Sequence, residues 1–346
     1  MKVESGANGQ RAMRKNGWGL IGTGRIAEDR VLPAITEHGG NRLVGVVSRD
    51  PQRAKRFAEK FGAEHAYTSY EEMLRNPDVT VVAIHTPNAQ HAEQAIAAAR
   101  AGKHVFCDKP MATSVADAER MVRECEKAGV QLGINFHNRF MPCFHEIRRV
   151  VQSGEIGEVH LVQLEASPGA RSGGRLATWR IDPALAGLGT SYSIGVHVYD
   201  ILRYLLAAEV ETVSALFDKP RGVMEEMNLS LFRFTNGVLA QLSVHENSPL
   251  PHNDIVVYGS KGRITGRGIT RSREGGVLSV VTEDGRTRST EFPAINAHGA
   301  CVQAFSDALL EGRAFVPSGI DGLRSVQVTD AMARSAHEGV HVRIAG

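Results

Sequence analysis

The chain has 346 residues, beyond the length at which a single hydrophobic core usually stops growing, so two domains are expected. Its 42% apolar and 23% charged content is that of an ordinary globular protein, and 40 Lys plus Arg against 38 Asp plus Glu leave no large single-sign field. Neither nucleic acid nor a membrane surface is therefore an expected partner.

The start, MKVESGANGQRAMRK, carries positive charge with no apolar segment behind it, so residues 1–15 read as a flexible tail without a secretory signal. No apolar run approaches the roughly 20 residues that span a bilayer. Cys107, Cys125, Cys143 and Cys301 are spaced too widely for a metal-ligand pair or a disulfide framework. They read as reduced thiols, which implies a cytoplasmic protein and no metal site.

Over residues 16–137, short β-branched runs (WGLIG, RLVGVVS, VTVVAIH, HVFC, QLGIN) alternate with helical stretches such as PQRAKRFAEKFG and SVADAERMVRECEKAG. Alternation of this kind predicts right-handed βαβ units and a doubly wound parallel sheet, a Rossmann domain. The first strand runs into GTGRIA. Gly22 permits the tight turn, Gly24 lets backbone approach a pyrophosphate, and Ala27 allows close helix packing, with Arg25 and Ile26 completing a dinucleotide-binding turn. At the end of the second strand, Ser48, Arg49 and Arg53 suit a 2′-phosphate, so NADP(H) is the expected cofactor. Asp50, near the position of a ribose-binding carboxylate, leaves NAD(H) open. The fourth strand ends in HTPNAQH, whose Thr86, Pro87 and Asn88 border the ligand crevice of such sheets, and His91 either lines the nicotinamide side or caps the next helix.

The fifth strand ends on Asp108, Lys109 and Pro110. Proline restricts Lys109 to extended backbone, and an ammonium at a buried strand end needs a fixed partner. After the last Rossmann strand, Asn135, His137 and Arg139 are candidates for the substrate cleft or for a hinge.

Residues 138–346 have a different rhythm. After the helix CFHEIRRVVQSG come a strand VHLVQLEA, a Gly-rich segment and a helix near 191–206, and then VETVSALF, NLSLFRF, VLAQLSVHE and DIVVYG with little helix between them. Asn236-Gly237 is a hairpin signal. A large, mostly antiparallel sheet is predicted, completed by helices near 296–312 and 318–337, which makes the whole chain α/β followed by α+β.

WGLIGTGRIA, AIHTPNAQH, AGKHVFCDKPMA and GLGTSYSIGVHVYDILRYLL, in this order, resemble the Gfo/Idh/MocA family of glucose-fructose oxidoreductase and inositol dehydrogenase. Ser48 with Arg53, the stretch GINFHNR and the pair Trp179-Arg180 are similar to members of the 1,5-anhydro-D-fructose reductase type. The resemblance implies an NADP(H)-dependent oxidoreductase that moves a hydride between nicotinamide and a secondary hydroxyl or ketone of a sugar, keto-sugar or cyclitol. It makes Lys109 and His197 the catalytic pair: Lys109, in a CDKP counterpart of the family's E-K-P element, lies with Asp108 on the cofactor beside the nicotinamide and positions the substrate oxygen, and His197 supplies the proton. It also implies substrate contacts from Arg180, Tyr192 and Ser193, with Trp179 either stacking on the sugar or packing in the core, and a homodimer or homotetramer. Asp200, three residues after His197, is placed to orient its ring. Ser193 stands where the family pattern has aspartate, so Tyr192 is a reserve proton donor, and two alternatives stay open: a non-catalytic dinucleotide-binding regulator, or a dehydrogenase of a small non-sugar diol or imine.

Overall fold

The computed structural model describes residues 15–169, 178–219, 224–246, 248–270 and 275–344, so the expected tail over 1–15 lies almost entirely outside the described residues. Strands β1 (Asn16–Ile21), β2 (Asn41–Val47), β3 (His65–Tyr67), β4 (Val81–Ile84), β5 (His104–Cys107) and β6 (Leu132–Ile134) form one parallel sheet in the order β3-β2-β1-β4-β5-β6. The central strands β1, β4 and β5 are buried along almost their whole length and apolar except at the first residues of β1 and β5, because both sheet faces are covered. The order reverses between β1 and β4, and the crevice outside the carboxyl ends of these strands is where such sheets bind ligands.

One face packs Ile21, Val82, Ile84 and Val105 against Ala95, Ile96, Met121 and Val122 of the helices His91–Arg100 and Val115–Lys127. The other packs Trp18, Leu20, Val81 and Phe106 against Val31 and Ile35, and also against Cys301, Val302 and Phe305 of the helix Ala297–Leu310. That last helix was expected to complete the second domain. Instead its apolar stripe covers the first, with Phe305 meeting Phe106 and Trp18 at ring-centre distances of 5.3 and 6.1 Å.

The second sheet comprises β7 (Val159–Ala166), β8 (Val210–Phe217), β9 (Met227–Phe234), β10 (Leu239–His245), β11 (Ile255–Gly259), β12 (Gly262–Arg267), β13 (Gly276–Thr282), β14 (Thr287–Phe292) and β15 (Val342–Arg343), in the order β14-β13-β12-β11-β7-β10-β9-β8-β15. All its pairings are antiparallel except β7 with β10. Asn236-Gly237 turns β9 into β10, with Gly237 at φ 86°. Strict alternation of buried and exposed residues along β9 sends Phe232 and Phe234 inward. There they meet Tyr199, Ile201 and Leu205 of the helix Val196–Leu206, in a core shared with Val328 and Met332 of the helix Gly319–Glu338. No helix among the described residues is long and apolar enough to cross a membrane, and all four cysteines are buried thiols.

Candidate active site

The glycine turn is built by sterics. Gly22 has φ 100°, and a Cβ there would lie 2.5 Å from the His85 carbonyl oxygen. Gly24 is different, since a Cβ there would meet nothing within 4 Å, which leaves open space over the start of the helix at Arg25. Backbone N–H groups at that helix start form an anion cradle, and the turn fits a dinucleotide pyrophosphate. Ala27 is fully buried. Arg53 Nε donates to Thr23 Oγ1 at 2.9 Å, and its guanidinium also donates to the Thr23 carbonyl, so this cation stands against the turn. Asp50 caps the helix Pro51–Phe61, accepting from Gln52 N–H and Arg53 N–H at 3.0 and 3.3 Å. Ser48 Oγ in turn accepts from Asp50 N–H at 3.3 Å, and Arg49 is exposed beside it. The β2 end thus presents a hydroxyl and two arginines, while its one carboxylate is engaged by backbone.

Beyond β4, Thr86 Oγ1 donates to Gln94 Oε1 at 2.6 Å, Pro87 leads into a short turn, and Asn88 Nδ2 donates to the Ala186 carbonyl at 2.9 Å. Asn88 is therefore a tie between the domains. His91 does not face the crevice. It is 1% exposed, its Nδ1 lies 2.8 Å from the Pro110 carbonyl and its Nε2 2.9 Å from that of Thr86, so it stitches the β4 loop to the β5 loop.

At the end of β5, Asp108 Oδ1 accepts from Lys109 N–H at 2.9 Å and from Asn135 Nδ2 at 3.4 Å, and His85 Nδ1 lies 3.4 Å from Oδ2. Burial pushes the Asp108 carboxyl up, but His85 and Lys109 outweigh it and hold the group well below the usual carboxylate range. Lys109 Nζ crosses the domain seam and donates to the Ser193 carbonyl at 2.8 Å. Burial pushes the Lys109 amine down to about 8, with Arg180 pushing the same way against Asp108 and Glu246.

Three imidazoles line the seam beside Lys109. His137 stacks on His298 with ring centres 3.6 Å apart and meets His197 edge-on at 4.4 Å. His298 Nδ1 lies 3.0 Å from Asn135 Nδ2, which links the stack to Asp108. Burial, then Lys109 and His298, push His197 well below the ordinary histidine range, and burial with His197 does the same to His137. The stack is therefore neutral at pH 7. Asn135 Oδ1, Nε2 of His85, and Nδ1 of His137 and of His197 are buried with no hydrogen-bond partner among the described residues. Each such orphan costs about 1–3 kcal/mol, so four together mark a place that a polar ligand or ordered water completes.

The loop carrying Ser193 is held from below. Glu225, 2% exposed, accepts from Gly189 N–H at 2.9 Å and Ser191 N–H at 2.8 Å. Ser193 Oγ donates to Glu246 Oε1 at 2.7 Å. Arg180 stacks over Trp179, its guanidinium carbon 4.5 Å from the ring centre, in the turn Thr178–Ile181.

Three expectations need correction. Arg139 does not line the cleft: its guanidinium is bound by Asp200, at 2.8 and 2.5 Å, and by Asp321 at 2.7 Å, and it is 7% exposed. Asp200 for the same reason is not the partner of His197, because a buried arginine takes both its oxygens. Tyr192 reaches across the seam into the first domain, where its hydroxyl donates to the Thr113 carbonyl at 3.3 Å and its ring is 4% exposed, so its proton is engaged by backbone instead of being held for a substrate. His298, Glu225 and Glu246 carried no local signal in the sequence. They reach the seam from a helix and a sheet far along the chain.

Residues 17–136 match the oxidoreductase family with an NAD-binding Rossmann fold, and residues 144–265 match the Gfo/Idh/MocA C-terminal domain. The chain is 32% identical over 333 residues to 1,5-anhydro-D-fructose reductase of Ensifer adhaerens, spanning 94% of this chain and 97% of that protein. Aldose-aldose oxidoreductase of Caulobacter crescentus, solved with glycerol, superimposes with a TM-score of 0.87 at 31% identity, over 95% of this chain and 100% of the other. A 3-ketoreductase variant from Actinomadura kijaniata, solved with TDP-benzene and NADP, does so with a TM-score of 0.83 at 27% identity, over 94% and 98%. The chain therefore belongs to the Gfo/Idh/MocA family of NAD(P)-dependent oxidoreductases.

Proposed function

We propose that the protein is an NADP(H)-dependent oxidoreductase acting on a secondary hydroxyl or ketone of a sugar, keto-sugar or cyclitol, with Lys109 and His197 as its catalytic residues. The observation that carries this reading is the Lys109 ammonium, pinned on the Ser193 carbonyl at the carboxyl edge of the sheet that also bears the Gly22–Gly24 turn. Ser48, Arg49 and Arg53 would hold the 2′-phosphate, and Gly22, Gly24, Arg25 and Ile26 the pyrophosphate. When bound, the nicotinamide supplies or accepts the hydride.

The chain's own part is to hold the oxygen and manage one proton. Lys109, cationic below about pH 8, donates to the ketone oxygen and supplies the proton as negative charge develops there. Neutral His197, expected from the sequence to be the acid, instead accepts a hydrogen bond from a neighbouring hydroxyl and orients the ring. Trp179 and Arg180 supply a planar, cationic rim. The apolar outer face of the second sheet suits a homodimer or homotetramer, and the reduced thiols suit the cytoplasm.

The test is fluorescence titration with NADPH and NADH, followed by absorbance assays with 1,5-anhydro-D-fructose and an inosose on wild type and Lys109→Ala. Tighter NADPH binding and loss of turnover in Lys109→Ala by about 10²-fold or more support the reading. Preferential NADH binding refutes the cofactor, and undiminished turnover refutes the site.

A further inference from the structure

We propose that Glu246 is a positioning residue for Lys109, acting through Ser193 to hold the ammonium at the seam and to set the pH range over which it keeps its proton. This rests on the reading of Lys109 as the residue that meets the substrate oxygen.

Ser193 faces two ways. Its carbonyl accepts from Lys109 Nζ at 2.8 Å, and its hydroxyl donates to Glu246 Oε1 at 2.7 Å, so one residue brings a carboxylate of the second domain to the lysine of the first. Both ends of this bracket are fixed. Ser193 sits in the turn Ser191–Gly195, whose entry is clamped by the Glu225 carboxylate, and Glu246 follows β10 with its N–H donating to the Glu226 carbonyl at 3.0 Å. Asp108, on the lysine's own strand end, already faces His85 and Asn135. Among the described residues, the other groups acting on the ammonium are Arg180, a cation that expels its proton, the neutral imidazoles of His137, His197 and His298, and Glu246, an anion that retains it. Glu246 is thus the second-domain charge that balances Arg180. Among the described residues, removing it leaves burial and Arg180 opposed by Asp108.

The experiment reads the Lys109 proton directly. Reductive methylation with formaldehyde, followed by mass spectrometry of the Lys109 peptide across pH 6–10, gives the midpoint of amine deprotonation without any substrate. In Glu246→Gln the midpoint should fall by roughly half to one pH unit, which makes methylation at pH 7 about three- to fivefold faster. Ser193→Ala, which cuts the link but keeps both charges, should move it in the same direction by less, and Glu246→Asp should retain the wild-type midpoint in part. A midpoint in Glu246→Gln equal to that of wild type overturns the proposal. Should that variant fail to fold by circular dichroism, an unmoved midpoint in Ser193→Ala overturns it equally. The outcomes separate from those of the functional reading: a shifted midpoint in a protein that reduces no keto-sugar leaves the Glu246 role standing, and an unshifted one in an active enzyme removes it alone.

Discussion

In the proposed reaction Lys109 concentrates the chemistry into one titration whose sign can be worked out. Its amine is lowered to about 8 by burial, against Asp108 and Glu246, so near neutral pH both protonation states are within reach. Ketone reduction needs the ammonium, hence kcat for reduction should be flat below pH 7 and fall as pH rises through about 8. Alcohol oxidation needs the free amine and should rise over the same interval. Opposite limbs in the two directions, measured with one buffer series, check this, and a shared slope contradicts it. Lys109→Arg keeps a charge that no accessible pH removes, so the limb near 8 should vanish while turnover drops by about 10²-fold from lost geometry. The cofactor end gives an independent residue-scale prediction. Arg53 reaches Thr23 in the glycine turn, so Arg53→Ala should weaken NADPH about tenfold or more and NADH much less, as read by paired fluorescence titrations.

Among the elements, the helix Ala297–Leu310 joins what the chain order separates. It follows the second sheet in sequence, yet its Cys301, Val302, Phe305 and Ala308 lie in the core of the first domain, and its His298 stacks on His137 at the seam. Phe305→Ala would remove a ring packed on Trp18, Phe106 and Phe315, at an expected cost of about 3–5 kcal/mol, visible as a lower urea midpoint. Because the same helix carries His298, that variant should also lose substrate affinity while NADPH binding at the Gly22 turn persists. This helix also marks the limit of what was legible in the sequence. β-branched runs, G-x-G-x-x-A and Asn236-Gly237 announce strands and turns because local chemistry determines them. Lys109 was legible for the same reason, standing before Pro110 at a strand end. An apolar helical stripe carries no address, so the partner of Ala297–Leu310, the Arg139–Asp200 pair and the approach of Glu246 to Ser193 emerge only when distant segments meet.

At the scale of the whole molecule, one surface remains apolar. On the outer face of β8, β9 and β10, Leu216 is 70% exposed, Leu231 60%, Leu229 46%, Leu239 44% and Met227 41%. The register places Leu216 directly opposite Leu229, so these side chains form a continuous patch instead of scattered residues. Patches of this kind on soluble proteins mark association sites, and a second copy of the same face satisfies the symmetry of a closed dimer. Since these side chains point away from the core that holds Phe232 and Phe234, replacing them leaves the fold intact. Leu229→Lys with Leu231→Lys should therefore convert an oligomer to a monomer in light scattering. The thermal midpoint of the separated subunit should stay close to that expected for two surface changes, within about 0.5 kcal/mol each. NADPH binding should survive, because the Gly22 turn lies in the other domain. A wild-type protein that is already monomeric at micromolar concentration, or a double variant with unchanged mass, would remove this face as the interface and require another role for its leucines.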